Sequence, residues 1–515
     1  MSYREVKIWK PIQFDEKWLD TDTSYFDEIV DSWYYRKKEL GDDNIEFKKF
    51  IDELKREHAI ETGIIERLYD LDRGVTQTFI EEGFKEAYLS HNDTNISPSE
   101  LMNYLHTHLN VIDFIFDFVK EKRPFSRNYI LQIHQELLRH QEYTKAIDSL
   151  GRETKVPLLK GIFKEYPNNP KRNGTVFLYC PPEQVDSEVD KLLNLYNELE
   201  EKNIHPIIIA AWFHHAFTQI HPFQDGNGRM ARLLSTLILI KHQLFPFNLL
   251  REERNDYIDA LENADKGQYQ DLVFLFCKIQ KRNIQKALNI FTSRASTPQQ
   301  AIMLLNEKIL ASQTNTKRTE TLNKNRNILF NHLFNILDNI VSETNKNLCN
   351  NFIKFTLAAF LDTPLINNKC NQNIQIKEIK IDNETIKYTF EDSIIYFTAK
   401  EFNYNYNKGL PKAWFNISLE FMDKKITYNL LVSLHHYGFI DSAVALGIFV
   451  SMIHIENKII EICPLKIKRG SKEEILEPYV LSIEKEPSDK TIKNIEKYLN
   501  EGITEAINYI ASQIV

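Results

Sequence analysis

With 515 residues, 43% of them apolar and 12% aromatic, the chain has enough hydrophobic content for large cores and for two or three domains. A net charge of -8 and an isoelectric point near 6.1 leave no broad cationic surface, which argues against nonspecific nucleic-acid or acidic-membrane binding as the main activity. Five scattered cysteines (Cys180, Cys277, Cys349, Cys370 and Cys463) form no C-x-x-C pair, and neither a signal-peptide core nor a bilayer-long apolar run is present, so a reducing cytoplasm is the expected setting.

Residues 1 to about 43 carry Trp9, Trp18 and Trp33 without a clear period, and the three indoles read as cover for a core. From Asn44, the positions Phe47, Phe50, Ile51 and Leu54 mark an amphipathic helix that continues through Ile60, Ile64, Ile65 and Leu68 until Gly74, with Gly63 as a point of interruption. Ser97-Pro98-Ser99-Glu100 is a capping box with proline at the first helical position, opening a helix through Leu101, Leu105, Leu109, Ile112, Ile115 and Phe118. Another helix begins near Ser126 and carries Ile130, Ile133, His134 and Leu137, with His134 read as a packing histidine.

Between Leu158 and Pro182 the pattern turns extended. Leu159 to Lys164 and Thr175 to Tyr179 read as two strands around the turn residues Asn168 to Gly174, a β-hairpin flap over about 159–179. Helices resume near Pro182 and complete a helical domain by about residue 290, with Tyr257, Leu261, Leu272, Val273, Phe276 and Ile279 in its last part. Residues 291–360 read as a helical linker. After it, Ile374 to Ile376, Ile379 to Ile381, a turn at Asp382 to Glu384 and an extended Ile386 to Phe397 suggest a β-meander; Trp414 to Leu419 and Lys425 to Ser433 add strands, and Ser488 to Ile514 a last helix. No motif in 361–515 points to a function.

The chemistry concentrates in His221-Pro222-Phe223-Gln224-Asp225-Gly226-Asn227-Gly228-Arg229-Met230-Ala231-Arg232, which joins an apolar helix ending by Ile220 to a second, buried one. Glycine and asparagine allow tight turns that leave N–H groups converging at a helix N-terminus, a setting suited to phosphate. His221 is a candidate base for an incoming hydroxyl, and Asp225 a hard oxygen ligand for Mg²⁺ carrying phosphate oxygens. Gly226, Asn227 and Gly228 offer backbone and amide donors, and Arg229 and Arg232, one turn apart, can clamp further phosphates. Taken singly, each of these residues also suits a turn or a solvated face; together they read as a phosphoryl or nucleotidyl transfer site.

The stretch 221–232 resembles the signature of Fic-domain proteins, His-x-Phe-x-(Asp/Glu)-(Gly/Ala)-Asn-(Gly/Lys)-Arg-x-x-Arg, at every fixed position, and the similarity extends over about residues 55–290. The resemblance implies a mainly α fold: a Fic-type helical bundle with a β-hairpin flap, to which this chain adds a C-terminal α+β region. It implies transfer of AMP from Mg-ATP to a Tyr, Thr or Ser hydroxyl of a target protein, with His221 as base, Asp225 as Mg²⁺ ligand, Gly226 to Gly228 as anion hole, Arg229 and Arg232 on the phosphates, and the target pinned at the 159–179 flap. Thr62-Gly63-Ile64-Ile65-Glu66-Arg67 is similar to the family's inhibitory pattern, (Ser/Thr)-x-x-x-Glu-(Gly/Asn), and departs from it at Arg67; the likeness implies that Glu66 pairs with Arg232 and restrains the enzyme. The chain then divides into an N-terminal region (1–55), a catalytic domain (56–290) with an inhibitory helix near 59–73, a linker (291–360) and a C-terminal domain (361–515). Transfer of UMP or phosphocholine, removal of AMP, and a catalytically weak Fic scaffold stay open as alternatives, as does a homo-oligomer; no membrane or nucleic-acid partner is expected.

Overall fold

The computed structural model describes residues 5–41, 43–90, 92–147, 153–169, 171–172, 175–290, 316–347, 353–361, 376–381, 384–406, 410–421, 426–454, 459–469 and 472–513. It divides into two compact units, residues 1–26 with 47–283 and residues 27–46 with 284–515. No described helix is long and apolar enough to cross a membrane.

In chain order the first elements are β1 (Glu5–Ile8), α1 (Ser24–Leu40), α2 (Ile45–Ile65), α3 (Arg73–Glu82), α4 (Pro98–Lys120), α5 (Arg127–Leu137), β2 (Tyr143–Ile147), β3 (Glu153–Pro157), β4 (Lys171–Arg172) and β5 (Thr175–Leu178). Then come α6 (Pro182–Glu201), α7 (Pro206–Ile220), α8 (Asn227–Lys241), α9 (Arg254–Ala264) and α10 (Gln270–Leu288). The first unit is a helical bundle centred on α8, which packs against α7 and α4 and buries residues on every side from Arg229 to Leu239. Helix α4 starts where its sequence says: Ser97 Oγ accepts from the Glu100 N–H at 3.2 Å, with Pro98 in the first turn. Ser126 caps α5 in the same way, accepting from the Tyr129 N–H at 3.4 Å. Trp18 and Trp33 are buried, as their role in a core requires.

The long helix expected from Asn44 to Gly74 stops at Ile65, and Gly74 lies instead in the first turn of α3, capped by Asp72. A paired turn ends α2: the Arg67 N–H donates to Ile64 O at 2.9 Å and the Leu68 N–H to Gly63 O at 3.0 Å, with Arg67 in the left-handed region at φ 58°. Gly63 does not interrupt the helix. Its role is steric, because Tyr69 folds back over it, its hydroxyl donating to Ile60 O at 3.1 Å, and a Cβ at 63 would overlap the Tyr69 ring.

The second unit contains α11 (Thr316–Asn347), β6 (Ile353–Leu361), β7 (Ile376–Ile381), β8 (Glu384–Thr389), α12 (Phe390–Glu401), β9 (Ala413–Phe421), β10 (Ile426–His436) and β11 (Ala443–His454). β12 (Ile459–Pro464), β13 (Lys466–Arg469), β14 (Lys472–Ile475), β15 (Tyr479–Ser482) and α13 (Asp489–Gln513) complete it. Its main sheet runs β12-β11-β10-β9-β6, all antiparallel, with β15 also on β11. Alternate residues (Phe415 and Ile417, Leu430 and Val432, Leu446 and Ile448) form one apolar face, covered by Leu329, Leu333 and Leu337 of α11 and by Ile495, Leu499 and Ile503 of α13. The expected strands near 414–419 and 425–433 and the terminal helix are present as β9, β10 and α13; Lys425 and Ile514 lie outside the described residues.

Two expectations fail here. The extended reading of Ile386 to Phe397 holds only to Thr389, because Ile395, Thr398 and Ala399 are buried at helical spacing while Tyr396 and Lys400 are exposed, and the chain forms α12. Helix α1 has no counterpart in the sequence reading, because part of its inward row is polar: Glu28, Ser32 and Arg36, four residues apart, are all buried. Each finds a partner within the unit. Glu28 accepts from Tyr479 and from Asn494 Nδ2 (3.0 Å), Ser32 Oγ donates to Ser482 Oγ (2.7 Å), and Arg36 Nη2 donates to Ile290 O (2.7 Å).

Gly63→Ala is expected to cost about 1–3 kcal/mol of stability through the forced overlap with Tyr69, read as a lower urea midpoint; an unchanged midpoint would mean that Tyr69 moves aside at no cost.

Candidate active site

The loop between α7 and α8 turns on two residues in the left-handed region. His221 (φ 51°) ends α7, its N–H donating to Phe217 O at 3.0 Å, and Gly226 (φ 81°) precedes α8. A side-chain-bearing residue in that region costs about 1–2 kcal/mol, so the loop has to be held from outside. Asn227 holds it from below, accepting from the Phe223 N–H (2.9 Å) and donating to Phe223 O (2.7 Å). His134 supports it from the side. Its ring stacks on Phe223 at 3.6 Å, and its Nδ1 accepts from the Gly161 N–H at 3.0 Å, so Nε2 carries the proton and donates to Asp225 O at 3.0 Å. Burial pushes His134 down to about 4, which keeps it neutral for this role.

Residues 159–169 close the cage and correct the flap reading. The Leu159 N–H donates to Gln224 Oε1 (2.9 Å), the Lys164 N–H to Pro222 O (2.9 Å), and Asn168 Nδ2 to Phe223 O (2.7 Å). These contacts brace the loop, so Leu159 to Lys164 does not pair with 175–179 as a strand. β5 lies between β4 and, in parallel register from Glu5↔Thr175 to Ile8↔Leu178, β1; the turn residues Asn173 and Gly174 lie outside the described residues. A longer hairpin, β2–β3, precedes the segment and went unread in the sequence.

The charged groups meet at the start of α8. Its first intrahelical bond is Met230 N–H to Gly226 O (2.9 Å), which leaves the N–H groups of Asn227, Gly228 and Arg229 ahead of the ladder. Asp225 accepts from Gln141 Nε2 (2.7 Å), Thr144 Oγ1 (3.0 Å) and the Gly226 N–H, and lies 3.5 Å from Arg229 Nη2. Burial pushes its carboxyl up, but Arg229 first, and then these donors, hold it below the ordinary carboxylate value. Arg229 Nη2 donates to Gln141 Oε1 (2.9 Å). Arg232 donates through Nε to Thr62 Oγ1 and through Nη2 to Glu66 Oε1, both at 2.7 Å. Both guanidiniums are 1% exposed, and Arg229 Nε and Nη1 and Arg232 Nη1 are buried without an acceptor. The Glu66 carboxylate lies so close to Gly228 that a Cβ there would overlap it.

The structure therefore brings His221, Asp225, Gly226, Asn227, Gly228, Arg229, Arg232 and Glu66 into one site. Residues 124–239 match the model of the Fic/DOC family. This segment is similar to Fic domains. The chain is 25% identical over 297 residues to a protein adenylyltransferase Fic of Nematostella vectensis, covering 56% of this chain and 60% of that protein. It is 37% identical over 91 residues to a Fido domain-containing protein of Dictyostelium discoideum, covering 17% and 63%. It thus spans less than two thirds of either relative. Among solved structures, a Fic domain-containing signaling protein of Bacteroides thetaiotaomicron aligns with 50% of this chain and 95% of its own, at 22% identity and a TM-score of 0.42.

Within the matched segment, one expectation changes. The Asn227 side-chain amide is committed to Phe223, so the donor it leaves for a ligand is the backbone N–H rather than the side chain. Sequence reasoning missed the roles of Gln141, which links Asp225 and Arg229, of Thr144, which donates to Asp225, and of Asn168, which was read only as a turn residue. It also left the departure at Arg67 without a reason. The positive φ at this position explains the usual pattern and not the departure: Gly and Asn enter the left-handed region most easily, so arginine is the strained choice there.

Arg67→Gly is expected to stabilise the fold by about 1 kcal/mol, read as a higher urea midpoint, whereas a lower midpoint would mean that the arginine side chain contributes more than its backbone costs. A second expectation concerns acid. Burial, with Arg232 adding repulsion, pushes His58 and His214 down to about 3, and burial pushes His134 to about 4, while the ordinary histidine value is 6.5. Between these limits the unfolded chain takes up protons that the folded one refuses, so stability is complete above about 6.5 and falls as pH drops towards 4. Each histidine contributes about 1.4 kcal/mol per pH unit in that window; equal urea midpoints at about pH 7 and about pH 5 would contradict it.

Proposed function

We propose that the Fic domain transfers AMP from ATP to a hydroxyl side chain of a target protein, and that Glu66 restrains it. The observation that carries this reading is the set of buried donors without acceptors, Arg229 Nε and Nη1 and Arg232 Nη1, beside the open N-terminus of α8. Donors so arranged favour a polyanion with several oxygens, as a triphosphate has. The names of the Nematostella and Caenorhabditis relatives, protein adenylyltransferases, support AMP as the transferred group.

In this reading the substrate hydroxyl gives its proton to His221, whose Nδ1 is buried, so Nε2 faces the substrate. The hydroxyl oxygen forms a bond to the α-phosphorus as the bond to the β-phosphate oxygen breaks, and pyrophosphate leaves. The N–H groups of Asn227 and Gly228 hold the α-phosphate oxygens, and Arg229 and Arg232 the outer phosphates. Asp225, ionised and about one third exposed, fits a divalent cation as a single carboxylate ligand. No group of three His, Cys, Asp or Glu among the described residues forms a metal cage, which suits Mg²⁺ carried on the nucleotide and neutralising its phosphates. β5 has neighbours on both edges, so a target segment adding a strand is better served by β2–β3, whose Thr144 touches Asp225.

Glu66 competes with an outer phosphate for Arg232 and crowds Gly228, whose N–H serves the α-phosphate in this reading. Incubating the full chain with each α-labelled nucleoside triphosphate and Mg²⁺ is expected to transfer label from ATP to the protein. His221→Ala should cut the rate by about 10²–10⁴-fold, and Glu66→Gly should raise it by about 5–150-fold. Label transfer that survives His221→Ala, or a preference for another triphosphate, would overturn the reading, and no gain in Glu66→Gly would remove the restraint.

A further inference from the structure

A base delivers its lone pair in the plane of its ring, yet the χ2 torsion that sets a histidine ring plane is broad and soft. At His221 the plane is set by a neighbour. The Tyr179 ring is stacked on the imidazole, 4.0 Å away between centroids and with 2° between the ring planes. Tyr179 belongs to neither the signature loop nor the helices that flank it. It follows β5, and its place beside the loop depends on the dipeptide Asn168-Asn169: Asn168 Nδ2 donates to Phe223 O and Asn169 Oδ1 accepts from the Tyr179 N–H at 3.1 Å. One side chain of the pair grips the loop that carries His221, and the next grips the residue that stacks on it. Lys164 adds a third link. Its N–H donates to Pro222 O, its Nζ donates to Asn168 Oδ1 at 3.1 Å, and the same Nζ sits 5.9 Å from the centre of the Tyr179 ring.

We propose that Tyr179 is a positioning residue for His221, fixing by face-to-face stacking the plane in which the imidazole meets the substrate hydroxyl. The inference rests on the reading of His221 as the base. An aromatic face is what the geometry requires, and the phenolic hydroxyl is not part of the contact, so phenylalanine serves and an aliphatic side chain of similar volume does not. Because Tyr179 stacks on the base, the effect falls on turnover and not on nucleotide affinity.

The test compares Tyr179→Phe and Tyr179→Leu in the full-length chain carrying Glu66→Gly. Self-labelling from α-labelled ATP, followed against ATP concentration, should give for Tyr179→Leu a maximal rate about ten- to a hundredfold lower with an unchanged half-saturating ATP concentration. Tyr179→Phe should retain both values. In parallel, with ¹³Cε1-labelled histidine and His221→Ala to assign the resonance, the ring current of Tyr179 should shift the His221 proton upfield, a shift kept in Tyr179→Phe and lost in Tyr179→Leu. The proposal falls if the His221 resonance is the same in both variants, if Tyr179→Leu turns over like the parent, or if its half-saturating concentration rises along with the loss of rate. A parent that transfers no label while its His221 resonance responds to Tyr179→Leu overturns the transferase reading, and leaves the stack established but without a base to serve.

Discussion

Two guanidiniums sealed from water at the start of one helix are the constraint on which the rest of the first unit depends. Arg229 and Arg232 are three positions apart on α8, both 1% exposed, and a buried cation is tolerated only when acceptors surround it. Arg232 finds a full counter-charge in Glu66 and a hydroxyl in Thr62, both from the end of α2. Arg229 is less well served: Gln141 gives it a neutral oxygen, and Asp225 stands off at 3.5 Å. The histidines nearby respond to the same excess of positive charge. His58 and His108 stay neutral chiefly because they are buried; Arg232 pushes His58 further down, and both arginines push His108. Guanidiniums short of acceptors in this way favour an anion beside them, and the N-terminus of α8 adds its own partial positive charge at the same point.

The carboxylate that answers this demand is positioned by backbone chemistry some 170 residues away in sequence. Helix α2 ends in a turn that needs a left-handed residue at Arg67, and Tyr69 then folds back over Gly63, where only a glycine leaves room. These two local facts set Glu66 against the first turns of α8, on Arg232 and beside Gly228. The link from sequence to site therefore passes through a helix C-cap: the residues that end α2 decide where a charge just past its last turn lies.

Much of the domain was legible because its signals are local. The Ser97 and Ser126 caps, the apolar spacing of α7 and α8 and the loop between them all lie within a few residues of the features they explain. The Glu66–Arg232 pair was legible only through the family pattern, since nothing in composition or spacing joins positions so far apart. What escaped was either tertiary or polar where apolar was expected. Gln141 and Thr144 sit where the sequence reading found no pattern, Asn168 and Tyr179 where it found only a turn and a strand end, and the importance of all four comes from what the fold sets beside them. Leu159 to Lys164 alternates like a strand, but its N–H groups are spent on Pro222 and Gln224, so the segment has no partner strand. In the second unit, Glu28, Ser32 and Arg36 hide the inward face of α1 because each is buried with a hydrogen-bond partner, an arrangement that hydropathy patterning cannot register.

In the proposed restraint, the question of which part moves when a nucleotide enters has a physical answer. The loop from His221 to Asn227 is tied by Asn227, His134, Gln224, Asn168 and Lys164 to several separate elements, and displacing it breaks most of those bonds at once. Arg232 is buried, whereas the Glu66 side chain is one third exposed and lies just past the end of α2, in a turn that closes on an unfavourable residue. Withdrawing Glu66 exchanges one ion pair for contacts between the same arginine and a phosphate, and returns the carboxylate to water it already partly reaches. The end of α2 is thus the cheapest element to move. Linkage then requires that whatever steadies this turn weakens triphosphate binding by the same factor that a bound triphosphate loosens the turn. The strain at Arg67 works in the opposite sense, since it lowers the cost of opening relative to a glycine at that position.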